Sequence, residues 1–490
     1  MAMTKILRKN RWCLMAAKGW AICSNLGVTQ AARIAFALKG GRINTDFIDN
    51  SAGVDCSDNE VNIKIALNAE VAAGKLKMPA RNDLLASMTE GVAHLVLEDN
   101  RLQTLALSIA ERGGADALPS HIRLIEGFEA AGKLDRAVEG IASNEDLMRR
   151  SGDGRGLTRP ELAVVMATAK LSLQDAIEHS TLGADKAALP DLIAAFPPQM
   201  QAAHRKAIEG HRLRGEIIAT KLANRIVNRL GLIHPFEMAE EEGCTLGDMA
   251  EAFVVAEQVF DIPALWSAIE AGDMPEPTRL LLFDQVAAEM RAHMADVQRN
   301  SVADRTNDKA VAAYRAAVGR LSGALGDLLP PEAARQTRAF GDRLNAAGAP
   351  KKIVDQLVRL AELDGVIGVA ALSQRTGVDV LVTTQAFTAL GESLGLDWAQ
   401  GTAMQLSPRD PWERLLAAGL SRDFQAMRLD FLARNGGKKP VEAVAKWEAA
   451  HAARVSGFRH MIDRARMTAA PSTAMLAQLA GQARVLLNRA

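Results

Sequence analysis

TRPELAVVMATAKLSLQDAI, Thr158 to Ile177, reads as one long amphipathic helix. Leu162, Val165, Met166, Ala169, Leu173 and Ala176 recur at the three- and four-residue steps of a helix, which gives it an apolar face. Thr158-x-x-Glu161 is a capping box, whose side chains satisfy backbone N–H groups that a helix start leaves unpaired. Pro160 stands in the first turn, where a missing N–H costs nothing. On either side of it the same periodicity covers residues 82–111, 199–230, 246–270, 277–324, 331–347, 350–364, 376–394, 409–434, 440–467 and 471–488. Gly113-Gly114, Gly152 to Gly156, Pro197-Pro198, Pro330-Pro331 and Gly436-Gly437 break it, with no fixed repeat period.

Composition agrees. Of 490 residues 48% are apolar but only 4% aromatic, with a single tyrosine, Tyr314. Strands favour aromatic and β-branched side chains, so such a chain is helical in the main. Lys+Arg and Asp+Glu balance at 58 each, which argues against a nucleic-acid protein. No segment approaches the ~18 apolar residues of a membrane span. Lys5, Arg8, Lys9 and Arg11 precede a mildly apolar stretch ending at Cys23, but Lys18 interrupts it where a signal peptide would be continuous. The four cysteines form no CxxC pair, and a cytoplasmic location is expected.

The beginning of the chain reads differently. Thr29 to Leu38 is a short helix stopped by Gly40-Gly41, Arg42 to Ile48 reads as a strand, and Asp49 to Gly53 as a turn. Val61, Ile63, Ile65 and Leu67 alternate as in a strand, yet Ser57-x-x-Glu60 is a capping box that would start a helix and no turn signal follows, so a helix is preferred. The expected fold is mainly α, with a small α/β remnant at the N-terminus and a large all-helical region after it.

Signals for chemistry are few. The nine histidines form no HExxH or Cys/His cluster, so no metal site is expected, and neither a GxSxG elbow nor a Walker loop is present. Ser151 to Gly156 is glycine-rich but follows no strand, and reads as an inter-helix loop. Arg214, Lys221 and Arg225 share a helical face, suited to an acidic group or, more simply, to solvent. Asn44 to Asn68 is dense in small polar residues where the expected strand feeds a helix. In an open α/β sheet that junction binds anions on the helix N-terminus. Ser57 there either donates to a carboxylate or caps its own helix.

GGRINTDFIDNSAGVDCSDNEVNIKI (Gly40–Ile65) resembles the end of the catalytic domain of the large bacterial NAD-specific glutamate dehydrogenases. The resemblance continues through LTRPELAVVMA (Leu157–Ala167) and GEIIATKLANRIVN (Gly215–Asn228). The first segment is also similar to NAGGV-x-x-S-x-x-E of the small glutamate dehydrogenases, with Asn50, Gly53, Val54, Ser57 and Glu60 at those positions. The resemblance implies that Ser57 binds the side-chain carboxylate of the substrate. It implies that Asn50 lies near the nicotinamide, and that Asn25 corresponds to the asparagine of the family's EGAN motif beside the cofactor. It implies NAD as cofactor, L-glutamate and 2-oxoglutarate as substrate and product, and a homo-oligomer in the intact enzyme, with no nucleic acid and no membrane.

The chain departs from the pattern in places. Ile22-Cys23-Ser24 stands where Glu-Gly-Ala is expected, Asn59 stands where the large enzymes have histidine, and the catalytic lysine and aspartate motifs and the glycine-rich dinucleotide turn are not found. No residue of the catalytic acid–base set is therefore assigned. The expected organisation is a poorly ordered atypical leader over 1–24, the terminal part of the catalytic domain over 25–75, and the helical C-terminal region over 76–490. That describes a C-terminal portion of such an enzyme. The alternative is a non-catalytic helical scaffold or assembly subunit.

Overall fold

The computed structural model describes residues 27–300, 306–406, 408 and 410–488; the expected leader and Asn25 lie outside them. Among the described residues every regular element is helical and no strand forms. The mainly α expectation holds, whereas the α/β remnant does not.

The correction has a local cause. Helix α1 (Gln30–Ala37) begins on Thr29, whose hydroxyl accepts from the Ala32 N–H, and it buries Arg33, Ile34 and Phe36. Arg33 donates to the carbonyls of Val28 and Asn44 and pairs with Asp46. The segment expected as a strand therefore turns back against α1 and closes into one helical turn, α2 (Asp46–Asp49). Helix α3 (Ser51–Ala72) follows at once and starts six residues before Ser57, so the expected turn over Asp49–Gly53 shrinks to Asn50, between two helices. Asn59, Ile63, Ala66 and Leu67 are its buried residues, spaced at helical steps, while Val61 is exposed; the apparent alternation was a helix face.

The chain forms two compact units, one built on the residues up to Phe236 with Thr245–Ala250, the other on Glu237–Cys244 and the residues from Glu251. In the first, α3 packs on α4 (Thr89–Arg112), and α4 in turn meets α6 (Arg159–Glu178) and α7 (Arg214–Leu230). Between α4 and α6 lies α5 (Asn144–Gly152). Helix α6 is buried on every side from Pro160 to Met166, and then along Ala169, Leu173 and Ile177. Each large apolar side chain so placed contributes roughly 1.5–3 kcal/mol. Ile63, Leu67, Met88, Leu192, Phe196 and Ile218 join one core that holds the second half of α3.

Two close approaches tighten this unit. A Cβ on Gly156 would stand 2.2 Å from the Gly114 carbonyl oxygen, so the glycine-rich loop is a point of backbone contact between helix connections. Arg214, Lys221 and Arg225 do not form a solvated basic face: Lys221 pairs with Asp99 at 2.7 Å, Arg225 with Asp191, and Arg214 reaches the Ala184 and Asp185 carbonyls at 3.4 Å.

The second unit packs α8 (Glu276–Asn300), α9 (Val366–Thr376), α10 (Val380–Leu394), α11 (Leu396–Gln405), α12 (Pro411–Asn435) and α13 (Thr473–Asn488), among other helices. Its interior holds polar groups. Asp296 accepts from the Ile367 and Gly368 N–H groups at the start of α9, and from Asn300 and Gln425. Arg428 is 2% exposed, pairs with Asp397 and Gln400, and lies 4.0 Å above the Phe387 ring. No single helix among the described residues is long and apolar enough to cross a membrane.

Candidate functional site

The polar segment singled out in the sequence becomes the junction of α2 and α3. Asn50 is the N-cap residue of α3, and its side chain makes no capping hydrogen bond. Gly53 leaves it room: a Cβ there would lie 3.1 Å from Asn50 Nδ2. The first turn of α3 contains no acidic residue, so its unpaired N–H groups and positive dipole end favour an anion.

Ser57 lies in the second turn. It caps nothing, which corrects the capping-box reading: its Oγ donates to the Val54 carbonyl at 2.6 Å, and Glu60 pairs with Lys64. The Lys64 hydrogen bond holds the Glu60 carboxyl below its usual range. Positions 50, 54, 57 and 61 follow the steps of a helix face, so the structure brings Asn50, Val54, Ser57 and Val61 into one stripe. All four are exposed, Val54 by 66% and Val61 by 53%. Asn50 and Ser57 thus point to the same side, about 10 Å apart along the axis. Asn59 turns inward and donates to the Asp55 carbonyl and carboxylate, so its role here is to hold the helix.

What fixes this helix start was not visible from spacing. Asn100 of α4 donates to the Ile48 carbonyl at 2.8 Å and to Ser51 Oγ at 2.9 Å. Asn44 donates to Asp49 at 2.8 Å, and Arg159, at the beginning of α6, donates to Asn44 Oδ1. A signal is present in part: Arg159 belongs to the capping motif, whose local pattern gives its place in a helix start but not its distant partners.

Behind the stripe lies a charged cluster. Burial and the nearby Asp99 push the Asp55 carboxyl up, while Lys221 acts against them. Burial pushes Lys170 of α6 down to about 8, with Asp99 opposing. Among the described residues no group of three or more His, Cys, Asp or Glu side chains is arranged to hold a metal. Those residues form neither a strand nor the glycine-rich strand-to-helix turn of a dinucleotide fold.

Two family models match the chain. That of the bacterial NAD-glutamate dehydrogenase catalytic domain covers residues 9–110, and that of the glutamate dehydrogenase C-terminal region covers residues 154–484. Three similar proteins are each named NAD-specific glutamate dehydrogenase. The one from Pseudomonas aeruginosa is 34% identical over 460 residues, 92% of this chain and 28% of the relative. That from Halomonas elongata is 31% identical over 90% of this chain and 28% of the relative, and that from Mycobacterium tuberculosis 32% over 94% and 29%. The chain therefore spans little more than a quarter of the length of these curated relatives.

Proposed function

The chain belongs to the glutamate dehydrogenase family whose C-terminal model it matches over residues 154–484, and from that premise we propose that it supplies the end of the catalytic domain and the helical C-terminal region of an NAD-dependent enzyme. The proposed reaction oxidises L-glutamate, NAD taking up the hydride lost from the α-carbon, and water then replaces the nitrogen of the resulting imine to give 2-oxoglutarate and ammonia. The observation that carries this reading is the exposed stripe of α3, which presents Asn50 and Ser57 on one side within the segment matched by the catalytic-domain model.

In this reading Ser57 donates its hydroxyl hydrogen to the side-chain carboxylate of glutamate. The hydroxyl leaves the Val54 carbonyl at little cost, because a helical carbonyl keeps its backbone partner. Asn50, free of capping duty, faces the nicotinamide, and Val54 between them covers the aliphatic part of the substrate. The catalytic lysine and aspartate and the dinucleotide cradle come from parts of the enzyme outside these residues. The assembled enzyme works as a homo-oligomer in the cytoplasm.

The test is a chimera in which this chain replaces the matched region of the Pseudomonas aeruginosa relative. The expected result is glutamate-dependent NAD reduction that Ser57→Ala weakens through KM. A folded chimera without that activity would favour the scaffold reading instead.

A further inference from the structure

Helix α4 turns one face toward the α2–α3 junction. Asn100, Thr104, Ser108 and Glu111 stand at steps of four, four and three residues, a row along one side. Asn100 holds the junction directly, through the Ile48 carbonyl and Ser51. The rest of the row is occupied by one guanidinium. Arg159 donates to the Thr104 carbonyl at 2.9 Å, to Ser108 Oγ at 3.0 Å and to Glu111 at 3.4 Å, and its Nε reaches Asn44. Asn44 then grips Asp49, the residue before Asn50, while its own carbonyl accepts from Arg33 at 2.7 Å. The Arg159 side chain is 17% exposed, so these bonds are partly shielded from water and are stronger than surface contacts.

Arg159 lies in the part matched by the C-terminal model, and everything it grips lies in residues 9–110, matched by the catalytic-domain model, apart from Glu111 beside it. We propose that Arg159 is a positioning residue by which the C-terminal region sets the place of Asn50 and Ser57. Without it Asn44 loses its outer anchor, Asp49 loses the constraint passed on through Asn44, and the first turns of α3 gain freedom. Asn100 and the packing of α3 on α4 would still locate them, and Arg33 would still pair with Asp46 and Asp49, so the loss is one of local order and not of the fold. A guanidinium suits the task because its rigid planar fork spreads five donors over three nitrogens, whereas an ammonium has three donors on one rotating centre. The functional half of this inference rests on the reading given under Proposed function.

Two measurements decide it. In the full 490-residue protein, amide hydrogen exchange of Arg159→Met is expected to rise about tenfold over residues 46–57 and to stay unchanged over residues 60–72 and in α7. Unchanged exchange at 46–57, or a uniform rise through α4, α6 and α7, would overturn the proposal. In the chimera, Arg159→Met is expected to raise the glutamate KM about tenfold with kcat little altered, and Arg159→Lys to recover part of it. A KM equal to the parent's would overturn the positioning role. A wild-type chimera without glutamate oxidation would remove the functional reading alone, and the exchange result would still decide whether Arg159 orders the segment.

Discussion

One guanidinium nitrogen of Arg150 donates to both carboxylate oxygens of Glu161, at 2.9 and 3.0 Å, where Glu161 is entirely buried. The same carboxylate accepts from the Thr158 N–H and hydroxyl at 2.8 and 2.7 Å. The capping box therefore also ties α5 to α6. Glu161→Ala strands a partly buried guanidinium and uncaps a core helix, and is expected to cost roughly 3–5 kcal/mol in denaturant unfolding. Thr158→Ala, which removes one hydroxyl, should cost only about 1 kcal/mol.

A second expectation concerns Arg428. Removing this buried charge leaves Asp397 without its cation, so Arg428→Met is expected to destabilise the second unit by roughly 3–5 kcal/mol. Adding Asp397→Asn should restore a good part of that loss, which a double-mutant cycle of chemical melts would measure.

The same unit should respond to pH. Burial, with Asp364 nearby, pushes Glu289 up to about 8 and Asp296 up to about 7, although Asp296 accepts hydrogen bonds that pull it back. In the unfolded chain such carboxyls titrate near 4, so the folded state binds the extra protons. The stability they give is complete below pH 4 and is lost as pH rises through about 7 and 8. Melting temperature should therefore fall between pH 6 and pH 9. Glu289→Gln, which keeps the shape and removes the charge, should flatten that slope.

Ser57→Ala separates stability from function. The hydroxyl is exposed and bonded only to a carbonyl of its own helix, so unfolding free energy should change by less than about 0.5 kcal/mol. The glutamate KM of the chimera should rise roughly tenfold, as expected for the loss of a hydrogen bond to a charged group.

The isolated 490-residue protein is expected not to reduce NAD with glutamate, since its described residues form no dinucleotide cradle. Spectrophotometric assay at saturating glutamate and NAD checks this, with the same mixture lacking glutamate as the blank.

Helix α6 was legible because its cap and its period agree, both being local properties. The segment from Arg42 to Ile48 was not, because its β-like run of Ile43, Phe47 and Ile48 is overruled by Arg33 and Asn100, partners that spacing along the chain does not reveal. Ser57 and Glu60 mimicked a cap, yet Asn50 starts the helix and Glu60 has Lys64 one turn on. The basic face of α7 was visible as a pattern, but its aspartate partners, Asp99 and Asp191, lie far back in the sequence. The candidate site residues rest on family resemblance, and the Arg159 bonds that hold their segment needed coordinates.

The contact between Gly156 and Gly114 also governs which codons the connection tolerates. Gly152 has open space around it and should accept alanine, and Gly154, with φ +72, should accept asparagine best. At position 156 every side chain begins inside another backbone, so saturation mutagenesis should return glycine alone there, four residues from a site that takes substitutions freely.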